Sequence, residues 1–120
     1  MIEYKLGEIE MKFADIIWRN EPLSSGDLVK LCEKELDWKK STTYTILRRV
    51  CERGLFQNED GIVTSCVSKE EFLSNKTEQF VKEIFAGSLP SFVAAFTSQR
   101  KLSEEEIREL QMIIEQSRKQ

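Results

Sequence analysis

WKKSTTYTILRRVCERG, running from Trp38 to Gly54, is the stretch on which the reading of the chain turns. At about 100° per residue, Thr43, Ile46, Leu47 and Val50 collect on one side of a helix, and Thr42, Thr45, Arg48, Arg49 and Glu52 on the other. Ser41 is placed to cap the first turn, and Gly54 stands where a helix takes a left-handed stop. Lys39 and Lys40 precede the positive end of the helix dipole. An ordinary solvated helix carries long Lys/Glu pairs on its outer face. This one carries short hydroxyls, and Lys39, Lys40, Arg48, Arg49 and Arg53 face a single acid, Glu52. Arginine heads suit phosphate oxygens or a guanine edge, and threonine offers bases a hydroxyl and a methyl. The pattern predicts an anion-facing helix.

On either side the layout is that of a winged helix-turn-helix. Upstream, Leu6 to Asn20 reads as a helix with Ile9, Phe13, Ile16 and Ile17 as its buried stripe, ended by Glu21-Pro22. Ser24-x-x-Asp27 opens a second helix whose inner face is Leu28, Val29, Cys32 and Leu36. Downstream, Leu55–Gln57 and Ile62–Val67 flank Asn58-Glu59-Asp60-Gly61, a hairpin signal. Its tip carries two acids, which argues against a strong phosphate contact there.

From Lys69 the periodicity is helical again. Phe72, Leu73, Phe80, Val81, Ile84 and Phe85 recur up to Gly87, Ser88-Leu89-Pro90 starts a short helix, and Ser103-x-x-Glu106 caps a last one. So aromatic a tail, too small to enclose its own rings, either folds back or meets a partner. The expectation is a two-fold homodimer through Phe80, Ile84, Phe85, Phe92, Val93 and Phe96, joined by Ile107, Leu110 and Ile114. The expected class is mostly α with a small β-hairpin: a winged-helix domain over residues 1–68 and a helical dimerisation domain over 69–120.

Composition removes other classes. A net charge of −3 excludes a charge-only nucleic-acid binder but not one whose positive charge is local. There is no histidine, no Gly-rich phosphate loop and no C-x-x-C, so Ser-His and Cys-His catalysis and histidine zinc sites fall together. No enzyme, cofactor or metal is expected; scattered Glu and Asp are all an enzymatic reading could rest on. Cys32 and Cys51 read as small buried hydrophobes. No apolar run or leader pattern marks a membrane span or direct membrane binding, and a cytoplasmic protein is expected.

W-x-x-S-T-T-x-x-x-L-x-R-x-x-x-x-G from Trp38, Trp18 within EIEMKFADIIW, GSLPSFVAAF and LSEEEIREL together resemble the bacterial penicillinase-repressor family, the BlaI/MecI-like transcriptional repressors, over nearly the whole chain. The resemblance implies a dimeric repressor on palindromic operators of double-stranded DNA near β-lactam resistance genes. It implies DNA contacts at Trp38, Lys40, Ser41, Thr42, Thr45 and Arg49, to which the helical face adds Lys39 and a phosphate contact at Arg48. It also implies induction by a membrane sensor protease and cutting at Ala95-Phe96, although the family carries asparagine where this chain has Ala95. The copper-responsive relatives use C-x-C ligands near the C-terminus, and no cysteine follows Cys66 here. The competing reading is a winged helix used for protein contact alone, motivated by the acidic hairpin.

Overall fold

In the computed structural model, which describes residues Met1–Gln120, the first helix, α1, spans Glu8–Asn20. Phe13, Ala14, Ile16 and Ile17 are its buried residues. Ile9, expected on the same stripe, is 53% exposed: it lies in the first turn, before the neighbouring elements close over the helix. A two-residue strand, β1 (Leu23–Ser24), leads into α2 (Ser25–Leu36), where Ser24 Oγ accepts the Asp27 amide at 3.0 Å. Asp37, at φ +56°, ends α2 and sets the turn into α3 (Lys40–Glu52). Gly54, at φ +78°, then supplies the left-handed stop the sequence required.

The hairpin follows as β2 (Phe56–Glu59) and β3 (Ile62–Ser65), with Asn58 opposite Val63 and Glu59 opposite Ile62. The turn is tighter than expected. Asn58 and Glu59 belong to the strand, and Asp60 (φ +53°) and Gly61 (φ +82°) alone make the reversal, the backbone pattern that matches strand twist. β1 adds to the other edge of β3, giving a three-stranded antiparallel sheet in the order β1-β3-β2. Two residues are too few to show an alternating pattern, so β1 could not be read beforehand.

One apolar core joins these elements: Phe13, Ile16 and Ile17 from α1, Leu28 and Cys32 from α2, Leu47 and Val50 from α3, and Leu55, Phe56 and Val63 around the hairpin. Trp18 sits at its margin, its Nε1 donating to the Val67 carbonyl at 3.0 Å, its ring centroid 5.4 Å from Phe56 and 5.8 Å from Phe72. Glu21 accepts from both the amide and the hydroxyl of Ser65 at 2.8 Å, fixing the end of α1 to β3.

Three more helices follow: α4 (Lys69–Ile84), α5 (Leu89–Ser98) and α6 (Glu104–Arg118). The chain divides into two compact units, Met1–Glu78 and Gln79–Gln120, ten residues beyond the division at 68/69 expected from periodicity. Phe72 accounts for the difference, because α4 begins by burying that ring in the first core. In the second unit Phe80, Phe85 and Phe92 form a mutual cluster with centroids 5.6–5.9 Å apart. Ser88 caps α5, and Ser103 with Glu106 makes a full capping box for α6. No single helix is long and apolar enough to cross a membrane.

Candidate nucleic-acid interface

The inner face of α3 is Thr43, Leu47 and Val50, all buried, with Ile46 and Cys51 packed against the core. That leaves Lys39, Lys40, Ser41, Thr42, Thr45, Arg48 and Arg49 exposed together. Lys39, Lys40, Arg48 and Arg49 take part in no ion pair; the arginines that do are Arg19, Arg53, Arg100 and Arg118. Uncompensated cations on a helix rim are the footprint of a polyanion.

The N-terminal end of α3 differs from expectation in one respect. Ser41 is not the cap: the helix starts at Lys40, Lys39 holds the capping position, and no side chain caps the first turn. The first amides of the helix are therefore left for an external acceptor. Thr45 Oγ1 donates to the Ser41 carbonyl at 2.9 Å, which fixes its rotamer on the exposed face.

Trp38 occupies a different place from its neighbours. It is half-buried and stacked on Phe13, with 5.5 Å between centroids and 22° between planes. Most of its surface is spent on packing. Arg53 belongs to the local cations of the sequence, but its Nη1 lies 2.8 Å from Glu10 Oε1 and 3.0 Å from the Lys5 carbonyl, so its charge is neutralised. The Arg53 guanidinium in turn holds the Glu10 carboxyl below its ordinary value.

Two residues that the sequence did not single out border this face. Tyr44 and Asn58 line, with Leu47, Arg48 and Cys51, an open depression of about 310 Å³ between α3 and β2. Tyr44 also donates its hydroxyl to Ser25 Oγ at 3.2 Å, linking α3 to the start of α2. Asn58 pairs with Val63 in the hairpin and lines the same depression as Arg48. Only the register makes it a neighbour; no local pattern marks it. The acids of the tip, Glu59 and Asp60, are exposed.

Of the thiols, Cys32 is fully buried and burial pushes it up to about 11; Cys51 is half-buried and raised for the same reason; Cys66 is exposed. The reading of Cys32 and Cys51 as packing residues agrees with this placement.

The profile of the penicillinase repressor family matches residues 6–116. The chain belongs to that family. Its members are transcriptional repressors and not enzymes. Among its relatives, the penicillinase repressor of Bacillus licheniformis is 26% identical over 116 residues, covering 93% of this chain and 91% of that protein. The methicillin resistance regulatory protein MecI of Staphylococcus aureus is 24% identical over 115 residues, covering 92% and 94%. The solution structure of the DNA binding domain of the repressor BlaI superposes with a TM-score of 0.53 at 18% identity, covering 59% of this chain and 93% of that domain. That likeness concerns fold, and the fold is the winged helix.

Proposed function

We propose that this family member is a sequence-specific DNA-binding repressor that acts as a homodimer on palindromic operators. The observation that carries the reading is the outer face of α3, where Lys39, Lys40, Arg48 and Arg49 stand exposed and unpaired beside Ser41, Thr42 and Thr45. In the proposed complex α3 lies in the major groove, Thr42, Thr45 and Arg49 meet base edges, and Lys39, Lys40, Ser41 and Arg48 meet phosphates. Trp38 is proposed to contribute what remains exposed of its ring and to set the start of α3 through Phe13. Two copies present two such helices to half-sites one turn apart.

The dimer is proposed to form through the second unit. Phe80, Ile84, Val93, Phe96, Leu110 and Ile114 are each more than 40% exposed there, too much apolar surface for a solitary helical unit. Phe85, Phe92 and Ile107 complete the surface as half-buried residues. The regulated genes are proposed to be those of β-lactam resistance, by kinship with the repressors named above.

Relief of repression is proposed to follow cutting at Ala95-Phe96 by a membrane sensor protease. Both residues are exposed but helical, and Ser98 Oγ donates to the Ala95 carbonyl at 2.8 Å. A protease takes its substrate extended, so the last turn of α5 has to open first. Mass spectrometry of cells given a cell-wall antibiotic tests this step. Intact chain alongside derepressed genes refutes it.

The test of the main reading is a mobility shift with the DNA upstream of the protein's own gene across a salt series. A shift that weakens steeply with salt is expected. The second reading, a winged helix for protein contact only, is favoured by the exposed acids Glu59 and Asp60, and absence of any salt-sensitive shift would select it.

A further inference from the structure

Arg53 closes the last turn of α3, and its partners come from the segment before α1 and from Glu10 in the first turn of α1. The Glu3 amide donates to the Arg53 carbonyl at 2.8 Å, satisfying an acceptor that the helix end leaves open. The Arg53 guanidinium bridges the Lys5 carbonyl and the Glu10 carboxylate, and its side chain and that of Glu10 are only 21% and 16% exposed. Gly54 lies directly beneath: a Cβ built there would be 3.4 Å from Ile2 Cγ1 and 3.6 Å from the Met1 carbonyl. Further along, the Tyr4 ring sits 6.4 Å from Phe72 at the start of α4. The segment thus crosses the end of α3, held there at Glu3 and Lys5 by hydrogen bonds and at Tyr4 by the Phe72 ring.

We infer that Met1–Leu6 is a strap that fixes the attitude of α3, and that Arg53 is the positioning residue through which it acts. The inference rests on the reading of α3 as the DNA-facing helix. Apolar contacts along Leu47 and Val50 hold that helix to the core, and the Tyr44 hydroxyl bonds Ser25 in its first half; the apolar contacts are non-directional and by themselves leave the far end free to roll by small angles. No side chain caps its N-terminal end. Directional bonds act at the other end, where Arg53 Nη1 donates to the Lys5 carbonyl and to the Glu10 carboxylate at once. A recognition surface has to be held to about half an ångström and 10–20°. Arg53 supplies that constraint without facing the nucleic acid.

The test uses the full chain with R53Q and R53K, and a labelled duplex carrying the DNA upstream of the gene, titrated over a range of salt. R53Q is expected to weaken binding about five- to tenfold, the equivalent of one ordinary hydrogen bond, with the slope of log K against log salt unchanged. R53K keeps the partner Glu10 and is expected to recover most of the loss. A slope shallower by about one, the mark of a lost phosphate contact, would overturn the positioning role, and so would unchanged affinity. Hydrogen exchange without DNA checks the strap itself. In R53Q the amides of Arg53, Gly54 and Leu55, which bond to Arg49, Cys51 and Val50, are expected to exchange several-fold faster while the Leu47 amide does not. Equal exchange would overturn the strap. A wild-type chain that shifts no duplex sinks the DNA reading and the positioning role with it, and exchange alone then decides the strap.

Discussion

The indole of Trp38 lies on the ring of Phe13, nearly parallel at 22° and 5.5 Å between centroids. The pair joins the residue two positions before α3 to the most enclosed ring of α1, so the entry to α3 is set by packing. Trp38→Ala is expected to cost about 2–3 kcal/mol of stability, below the range for a fully enclosed ring because Trp38 is half-buried. Trp38→Phe should keep most of it. Urea unfolding measures both, and an unchanged midpoint in Trp38→Ala would show that the stack contributes nothing.

Arg48 and Arg49 are adjacent and both exposed, yet they are expected to fail differently. Arg49→Ala should cost about 1–3 kcal/mol on the cognate duplex and little on a scrambled one, as loss of a base contact does. Arg48→Ala should weaken both duplexes alike and reduce the salt slope by about one. Fluorescence anisotropy at several salt concentrations separates the two; identical behaviour would remove the division of labour.

Ile114 is 62% exposed and lies on the α6 face of Ile107 and Leu110, while Met112, also 62% exposed, lies opposite. Ile114→Asp is expected to weaken self-association by about 2 kcal/mol or more, the scale of an interface anchor. Met112→Asp should leave it unaltered. Sedimentation velocity over a dilution series gives the outcome, and equal effects would place the interface elsewhere.

Two carboxyls give the first unit an acid-side limit. The hydrogen bond from Arg53 holds Glu10 below its ordinary 4.5, and that from Lys69 holds Asp15 below its ordinary 3.8. With folded values lowered, the unfolded chain takes up protons first as pH falls. Their contribution is complete above the ordinary values and is lost as pH drops through the lowered ones. Glu10→Gln with Asp15→Asn should therefore be less stable near neutrality and flatter in stability between about pH 5 and pH 2. Thermal melts across that window decide it.

Much of the molecule was legible because each decisive signal was local. The period of Ile46, Leu47 and Val50 marked the inner face of α3, Gly54 its stop, and Ser103 with Glu106 the start of α6. What failed depended on neighbours distant in sequence. Ile9 fits its helical stripe but has nothing packed over it. Ser41 is a good cap residue, yet the turn set by Asp37 starts the helix two residues sooner. Arg53 counts as a surface cation until Glu10, 43 residues earlier, takes it up.

By itself, then, the order of residues determined which segments are helical, where the hairpin turns and which face of α3 carries hydroxyls and arginines, since periodicity, capping and turn chemistry act over a few neighbouring residues. Only the tertiary structure decided that β1 completes the sheet, that Trp38 packs while Arg48 and Arg49 remain free, and that the segment before α1 closes over the end of α3. Those outcomes follow from contacts across tens of residues, where burial and ion pairing choose among side chains that a helical wheel treats alike.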